Sequence, residues 1–214
     1  MKRGAIKQVY KTFDPLFPLG WRLTQGAFFR RFGDWLQIVS FNASRFDDEF
    51  EVVSCMDFLK RPGDVGGSLL PRKLQENQHP VTRWVSLREL GLGAEPIFRE
   101  MVRQLAPCLE APIEREEIKH MLHQCTNYDP HLYALCVMAA EEGNVVEAQH
   151  WHEQFLRLLA DSPYDWAIEK RNNLQKVMDL VDSPEALKAH LNAIVTDKLA
   201  AAKLTDLPDL AVTR

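Results

Sequence analysis

The stretch GAFFRRFGDWLQIVSFNAS, residues 26–44, decides how this chain reads. Two runs rich in aromatic and β-branched residues, 27–32 and 35–44, flank Gly33-Asp34. A two-residue gap of that kind is the length of a tight hairpin turn. A third run, FEVVSCMDFL at 50–59, follows a short polar turn over 45–49. Connections this short cannot carry a parallel crossover, so the spacing predicts an antiparallel meander. Alternation along the first run puts Arg30 with Phe28 and Phe32, and Arg31 with Phe29, on opposite faces. The two arginines therefore cannot form one basic patch. At most one is open to a partner, and the expectation is Arg30.

The flanks fill in the rest. Ile6, Val9, Tyr10 and Phe13 recur at helical spacing, and Pro15 and Pro18 then break the helix. Residues 60–80, with three Pro and three Gly, read as a loop, and VTRWVS (81–86) as a fourth, edge strand. Beyond it the pattern is helical. Ser86 and Glu89 form a possible capping box. Ile97, Met101, Val102 and Leu105 mark a helix ended by Pro107, and Ile118, Met121, Leu122 and Cys125 mark another. Asp129-Pro130 reads as an N-cap with proline in the first turn, Gly143 as a stop, and Asn144 as the next cap with Glu147 three residues on. Residues 130–160 are thus a helical hairpin. It resembles one tetratricopeptide-type unit, but no second unit follows at that period. Helices over 163–181 and 184–203 complete the chain. The fold class expected is α+β: an N-terminal helix, a small antiparallel three- to four-stranded meander and an all-helical C-terminal half. The expected division is 1–110 for the sheet-bearing part, 111–204 for the helical part, and a frayed tail over 205–214.

Composition narrows the function classes. The 214 residues are 46% hydrophobic and 26% charged, as in ordinary globular domains. No apolar run approaches the ~20 residues that cross a bilayer, and Lys7 and Lys11 interrupt any leader-like core, so a cytoplasmic protein is expected. Residues 1–46 carry eight Lys and Arg against two Asp, while the whole chain has a net charge of −4. That balance argues against general nucleic-acid binding. The basic N-terminal part could attract an acidic partner or pair with the chain's own acidic helices. The cysteines at 55, 108, 125 and 136 lack any two-residue spacing and read as reduced, buried thiols.

The search for chemistry yields little. GDVGGS lacks the Lys-Ser/Thr of a phosphate loop, and no Gly-x-Ser-x-Gly elbow is present. His120, His123 and Cys125 suggest a metal, but at ~100° per residue the histidines fall opposite the face set by Ile118, Leu122 and Cys125. Two Glu-x-x-His pairs, Glu117 with His120 and Glu147 with His150, mimic half of a di-iron bundle. The first pair points outward by the same phase, and Glu147 is better explained as a cap. No metal and no cofactor are expected.

One resemblance rests on the opening stretch. Gly20-Trp21, Arg22, Gly26, the aromatic-then-Arg step Phe28 to Arg30, the Gly33-Asp34 turn, Gln37 and Ser44 follow in an order that resembles an uncharacterised bacterial family, one of the domains of unknown function. Asn42 stands where that family's pattern has Gln. The resemblance spans roughly 5–110. It implies a helix, an antiparallel sheet and trailing helices, and no reaction. Small proteins of this style are often immunity partners of bacterial toxins. The resulting expectation is a non-enzymatic protein-binding module, in its sharpest form a toxin inhibitor, with Arg30, Trp35, Arg45 and Trp84 as partner-binding anchors, since Trp and Arg dominate hot spots. The candidate surface is the sheet with the 60–80 loop. The alternative is a hydrolase with a dispersed Asp/Glu/His site between sheet and helices.

Overall fold

The computed structural model describes residues 3–24, 26–66, 69–73, 82–109, 114–124 and 126–211. It is an α+β chain: an N-terminal helix, an antiparallel sheet, then mostly helices. It divides into two compact units. The first comprises Met1–Asp57, Leu70–Ile113 and Leu207–Arg214, the second Phe58–Leu69 and Glu114–Asp206. Among the described residues no helix is long and apolar enough to cross a membrane.

In the first unit, helix α1 (Arg3–Phe13) passes through a 3-10 turn (Asp14–Leu16) into the sheet. The strands are β1 (Arg22–Thr24), β2 (Ala27–Phe32), β3 (Trp35–Ala43), β4 (Glu49–Phe58), β5 (Leu69–Lys73) and β6 (Trp84–Ser86). Their order is β1-β2-β3-β4-β5, with β6 also paired to β4. The sheet is thus larger than three or four strands. β1 is only three residues long, and β5 contains Pro71 inside the segment expected to be loop. A proline is tolerated where a strand ends the sheet's path. Phe32 pairs with Trp35 across the central turn, and Gly33 has φ +53° while Asp34 stays negative, the glycine-first arrangement of a type II′ hairpin.

Helix α1 packs on β3 and on helix α3 (Ala94–Leu109). Val9, Phe13, Phe28, Phe41, Phe50 and Met101 lie at the centre of that core. The short helix α2 (Leu87–Gly91) begins at Ser86, whose Oγ accepts the Glu89 N–H at 3.1 Å. The Glu89 carboxylate turns to Arg83 rather than back to the cap. Helix α3 runs two residues past Pro107 instead of stopping there. So near the helix end, a proline removes one ladder bond without blocking the last turn.

The tail is not frayed at 207–211. Leu207 is buried, and Asp209 forms a parallel bridge with Arg31. The Asp209 carboxylate accepts the Gly33 N–H at 2.7 Å and the Ala211 N–H at 3.0 Å, and pairs with Arg31 at 3.3 Å. The Leu210 N–H donates to the Arg31 carbonyl at 3.2 Å. Gly20 makes room for this docking: at φ +94°, a Cβ there would lie 2.6 Å from Leu210 Cδ1. Residues 212–214 lie outside the described residues.

The second unit contains α4 (Arg115–His123), α5 (Asp129–Glu141), α6 (Val145–Leu158), α7 (Asp165–Asp179) and α8 (Pro184–Ala201). Every residue of α5 from Pro130 to Ala140 is buried, and α4, α6, α7 and α8 all pack against this helix. Such an all-round apolar helix must be central. Its end is a Schellman motif: Gly143 at φ +72° donates to the Ala140 carbonyl and Asn144 to that of Ala139. The Asn144 side chain then accepts the Glu147 N–H and so caps α6. Asp129, expected as the cap of α5, is its first residue instead, and its carboxylate binds Lys170 at 2.6 Å.

Helix α8 ends in the same motif with a residue poorly suited to it. Lys203 has φ +55°, donates to the Ala200 carbonyl, and is followed by Leu204 donating to Leu199. A left-handed non-glycine residue costs about 1–2 kcal/mol, and glycine's extra backbone entropy returns about 0.5–1 of that. Lys203→Gly is therefore expected to raise stability by about 0.5 kcal/mol, read as a higher urea midpoint. An unchanged or lower midpoint would contradict this account of the cap.

Candidate protein-binding site

Of the four expected anchors, two are internal. Arg30 is only 4% exposed: its Nε donates to Gln37 Oε1 at 2.7 Å, across the register pair Arg30–Gln37. Its guanidinium lies 4.9 Å from the ring centroids of both Trp21 and Phe32. Trp35 is buried opposite Phe32. The correction has a simple cause. Ala27 to Arg30 on β2 and Trp35 to Val39 on β3 are each buried in succession, so this part of the hairpin has no solvent face for an arginine to occupy. Arg31 is the more open of the pair, and Asp209 takes it. Arg45 and Trp84 do lie at the surface: Arg45 next to exposed Phe46 in the β3–β4 turn, Trp84 on β6 opposite Glu51. The nine-residue β3 separates Trp35 from the turn that holds Arg45, so the four do not assemble into one site. Much of the 60–80 loop (67–68 and 74–80) lies outside the described residues.

The second unit offers a more coherent surface. Arg171 donates to the carbonyls of Leu159 and Ser162, which fixes the turn between α6 and α7. That turn presents Tyr164, 64% exposed, and Trp166, 49% exposed, with their rings stacked at 12° and 6.3 Å. Ile168, one turn on from Tyr164, is also exposed. Lys170 lies one turn beyond Trp166, with Nζ 4.8 Å from its ring centroid, and reaches Asp129.

Lys170 also lines a small pocket of about 240 Å³, mouth included. Asp129 and Tyr133, one turn apart on α5, form one wall, and Lys170 and Asn173 on α7 form another. Phe155 from α6 and the Arg61-Pro62 step close the rest. The Arg61 turn is held in place because buried Lys198 donates to the carbonyls of Phe58 and Arg61, each at 3.1 Å. Tyr133 is 2% exposed, its ring edge-on to Phe155 at 6.1 Å. Its hydroxyl is buried with no hydrogen-bond partner among the described residues. Burial pushes the Tyr133 pKa up, with the Arg61 charge pulling only partly against it.

No family model matches the chain, and neither a curated protein nor a solved structure matches it. The candidate chemistry therefore rests on the geometry. Among the described residues no three His, Cys, Asp or Glu side chains gather closely enough to hold a metal ion. Exposed His123 and His150 sit edge-on against Trp151 instead, and Glu147 is engaged by Asn144 and Lys119. Cys125 lies outside the described residues. Cys55 and Cys136 are buried thiols, not joined in a disulfide. Burial pushes Cys136 up to about 12, which keeps it protonated and a poor nucleophile.

Sequence periodicity missed Tyr164 and Trp166. Ala167, Leu174 and Val177 are the buried residues of α7. At ~100° per residue Trp166 falls within ~20° of Val177, so the phase of the helix assigns it to the buried stripe, and Tyr164 precedes the helix.

Proposed function

We propose that this chain is a non-enzymatic, cytoplasmic protein-binding module, and that it docks a protein segment on Tyr164 and Trp166. One observation carries the reading: a stacked, exposed Tyr–Trp pair continuous, through Lys170, with a pocket holding a buried unsatisfied hydroxyl. Tyr and Trp offer large contact area with few rotatable bonds, which is why they recur as binding hot spots. The pair is fixed by the Arg171 clamp, so little ordering entropy is lost on docking. An inhibitor of a bacterial toxin is the sharper form of this proposal.

The test is quantitative co-purification of the tagged full chain from the organism that encodes it, wild type against Tyr164→Ala/Trp166→Ala. A partner recovered by the wild type should bind the double variant about tenfold more weakly or worse. A partner retained equally by both, or none recovered, would overturn the assignment. The toxin-inhibitor form further requires that the partner be a secreted toxin whose activity the wild type suppresses.

A further inference from the structure

We propose that the apolar groove between α1 and α2 is a docking site for a short acidic amphipathic helix of a partner protein. The proposal rests on this groove alone and not on Tyr164 and Trp166.

The groove has a volume of about 380 Å³, within the range of pockets that take an organic ligand or a few side chains. Ala5, Val9 and Thr12 on α1 form one wall, and Leu87, Leu90 and Gly91 on α2 form the other. Three features select the occupant. The first is hydrogen bonding. Both walls are helices, whose backbone groups bond along the helix, and the Thr12 hydroxyl donates to the Gln8 carbonyl at 2.9 Å. The Gln8 side chain is the main polar group left to an occupant. A segment lying here must satisfy its own N–H and C=O groups, as a helix does. Its apolar side chains at i, i+3, i+4 and i+7 then enter the groove.

The second feature is sign. At ~100° per residue, Lys11 and then Lys7 lie beyond Gln8 on the outer rim of α1, and Arg88 lies beyond Gly91 on that of α2. All three are exposed, and none has an ion-pair or hydrogen-bond partner among the described residues. Helix α1 holds no Asp or Glu. The nearby acids stand off the rims. Glu89 is taken by Arg83, and Asp47 and Asp48 stand at the start of α2, where the Asp48 carbonyl accepts the Leu87 N–H at 2.9 Å. Both rims are therefore basic, and Asp or Glu flanking the partner's apolar stripe would match them. The third feature is space. A Cβ on Gly91 would meet no atom within 4 Å, and Leu92 beside it is 87% exposed. An incoming apolar side chain gains contact with Leu87 and Leu90 and moves nothing.

The test is a titration of the full chain with a synthetic helical peptide of about 14 residues, with Leu at i, i+3, i+4 and i+7 and Glu and Ala elsewhere. Ionic strength is held constant, and the methyl signals of Val9, Leu87 and Leu90 are followed by NMR. A saturable shift is expected, and the same peptide with Lys for Glu should bind about tenfold more weakly. Gly91→Leu places a side chain in the open space and should weaken binding about tenfold or more. Lys11→Glu/Arg88→Glu alters only exposed rim residues, so it keeps the fold, and it too should weaken binding about tenfold. Tyr164→Ala/Trp166→Ala should leave the titration unchanged, so this groove and the aromatic pair fail separately. No saturable shift, equal binding by Gly91→Leu, or equal binding of the Lys peptide would each overturn the proposal. So would decanoate saturating the same signals while the Glu peptide does not, since the groove would then be a site for a fatty acid.

Discussion

Phe41→Ala is expected to destabilise the protein by about 3–5 kcal/mol, the range for removing a fully packed aromatic ring. Phe41 is 3% exposed and sits where α1 meets the sheet. Its ring stacks on Phe13 at 4.9 Å and meets Tyr10 at 4.9 Å, Phe50 at 5.5 Å and Phe28 at 6.1 Å. Four aromatic neighbours from a helix and two further strands cannot all collapse into the space it leaves, so the cavity term adds to the lost transfer energy. Its backbone is tied as well: the Phe41 N–H donates to the Tyr10 hydroxyl at 2.9 Å. Truncating the ring leaves that bond possible but removes the packing that aligns it. The check is the urea midpoint at unchanged slope. A loss below ~1 kcal/mol, as expected of surface substitutions, would mean that this cluster is not the core's centre. Phe41→Leu keeps most of the volume and should lose about 1 kcal/mol.

What could be read from the sequence was local. The β2–β3 hairpin was legible because a two-residue Gly33-Asp34 turn and the flanking alternation leave few alternatives. The α5–α6 hairpin was legible because Gly143 and Asn144 act on carbonyls and amides within a few residues of themselves. What was missed depends on distant partners. Asp209 binds the Gly33 amide 176 positions away, so a polar, proline-containing tail looked frayed. Asp129 spends its carboxylate on Lys170, 41 residues on, so a good capping residue does not cap. The candidate site is of the same kind. Its walls come from the Arg61 turn, α5, α6 and α7, and no short motif spans them. The exposed aromatics at 164 and 166 were not legible, because Trp166 shares the phase of buried Val177 to within ~20° and Tyr164 lies just before α7.

Arg30→Ala is expected to cost about 3 kcal/mol or more, because it removes a buried charged partner and leaves a void. The side chain is 4% exposed, its Nε bonded to Gln37 and its guanidinium held between Trp21 and Phe32. A desolvated cation over an aromatic face contributes up to ~2 kcal/mol, and here two rings share one guanidinium. The substitution thus costs Gln37 its donor, two rings their contact, and the hairpin its filling. Arg30→Met separates these parts. Its unbranched side chain fills much of the space and lies against both rings, so the residual loss, about 1–2 kcal/mol, measures the bond to Gln37. If Arg30→Met matched the wild type, the charge would add nothing net, as happens at some buried ion pairs. If instead Arg30→Ala cost less than ~0.5 kcal/mol, the side chain would have to be solvated, and its role as a surface anchor would return. The pair Arg30–Arg31 is therefore an internal device: one arginine fills the hairpin, the other fastens the tail through Asp209.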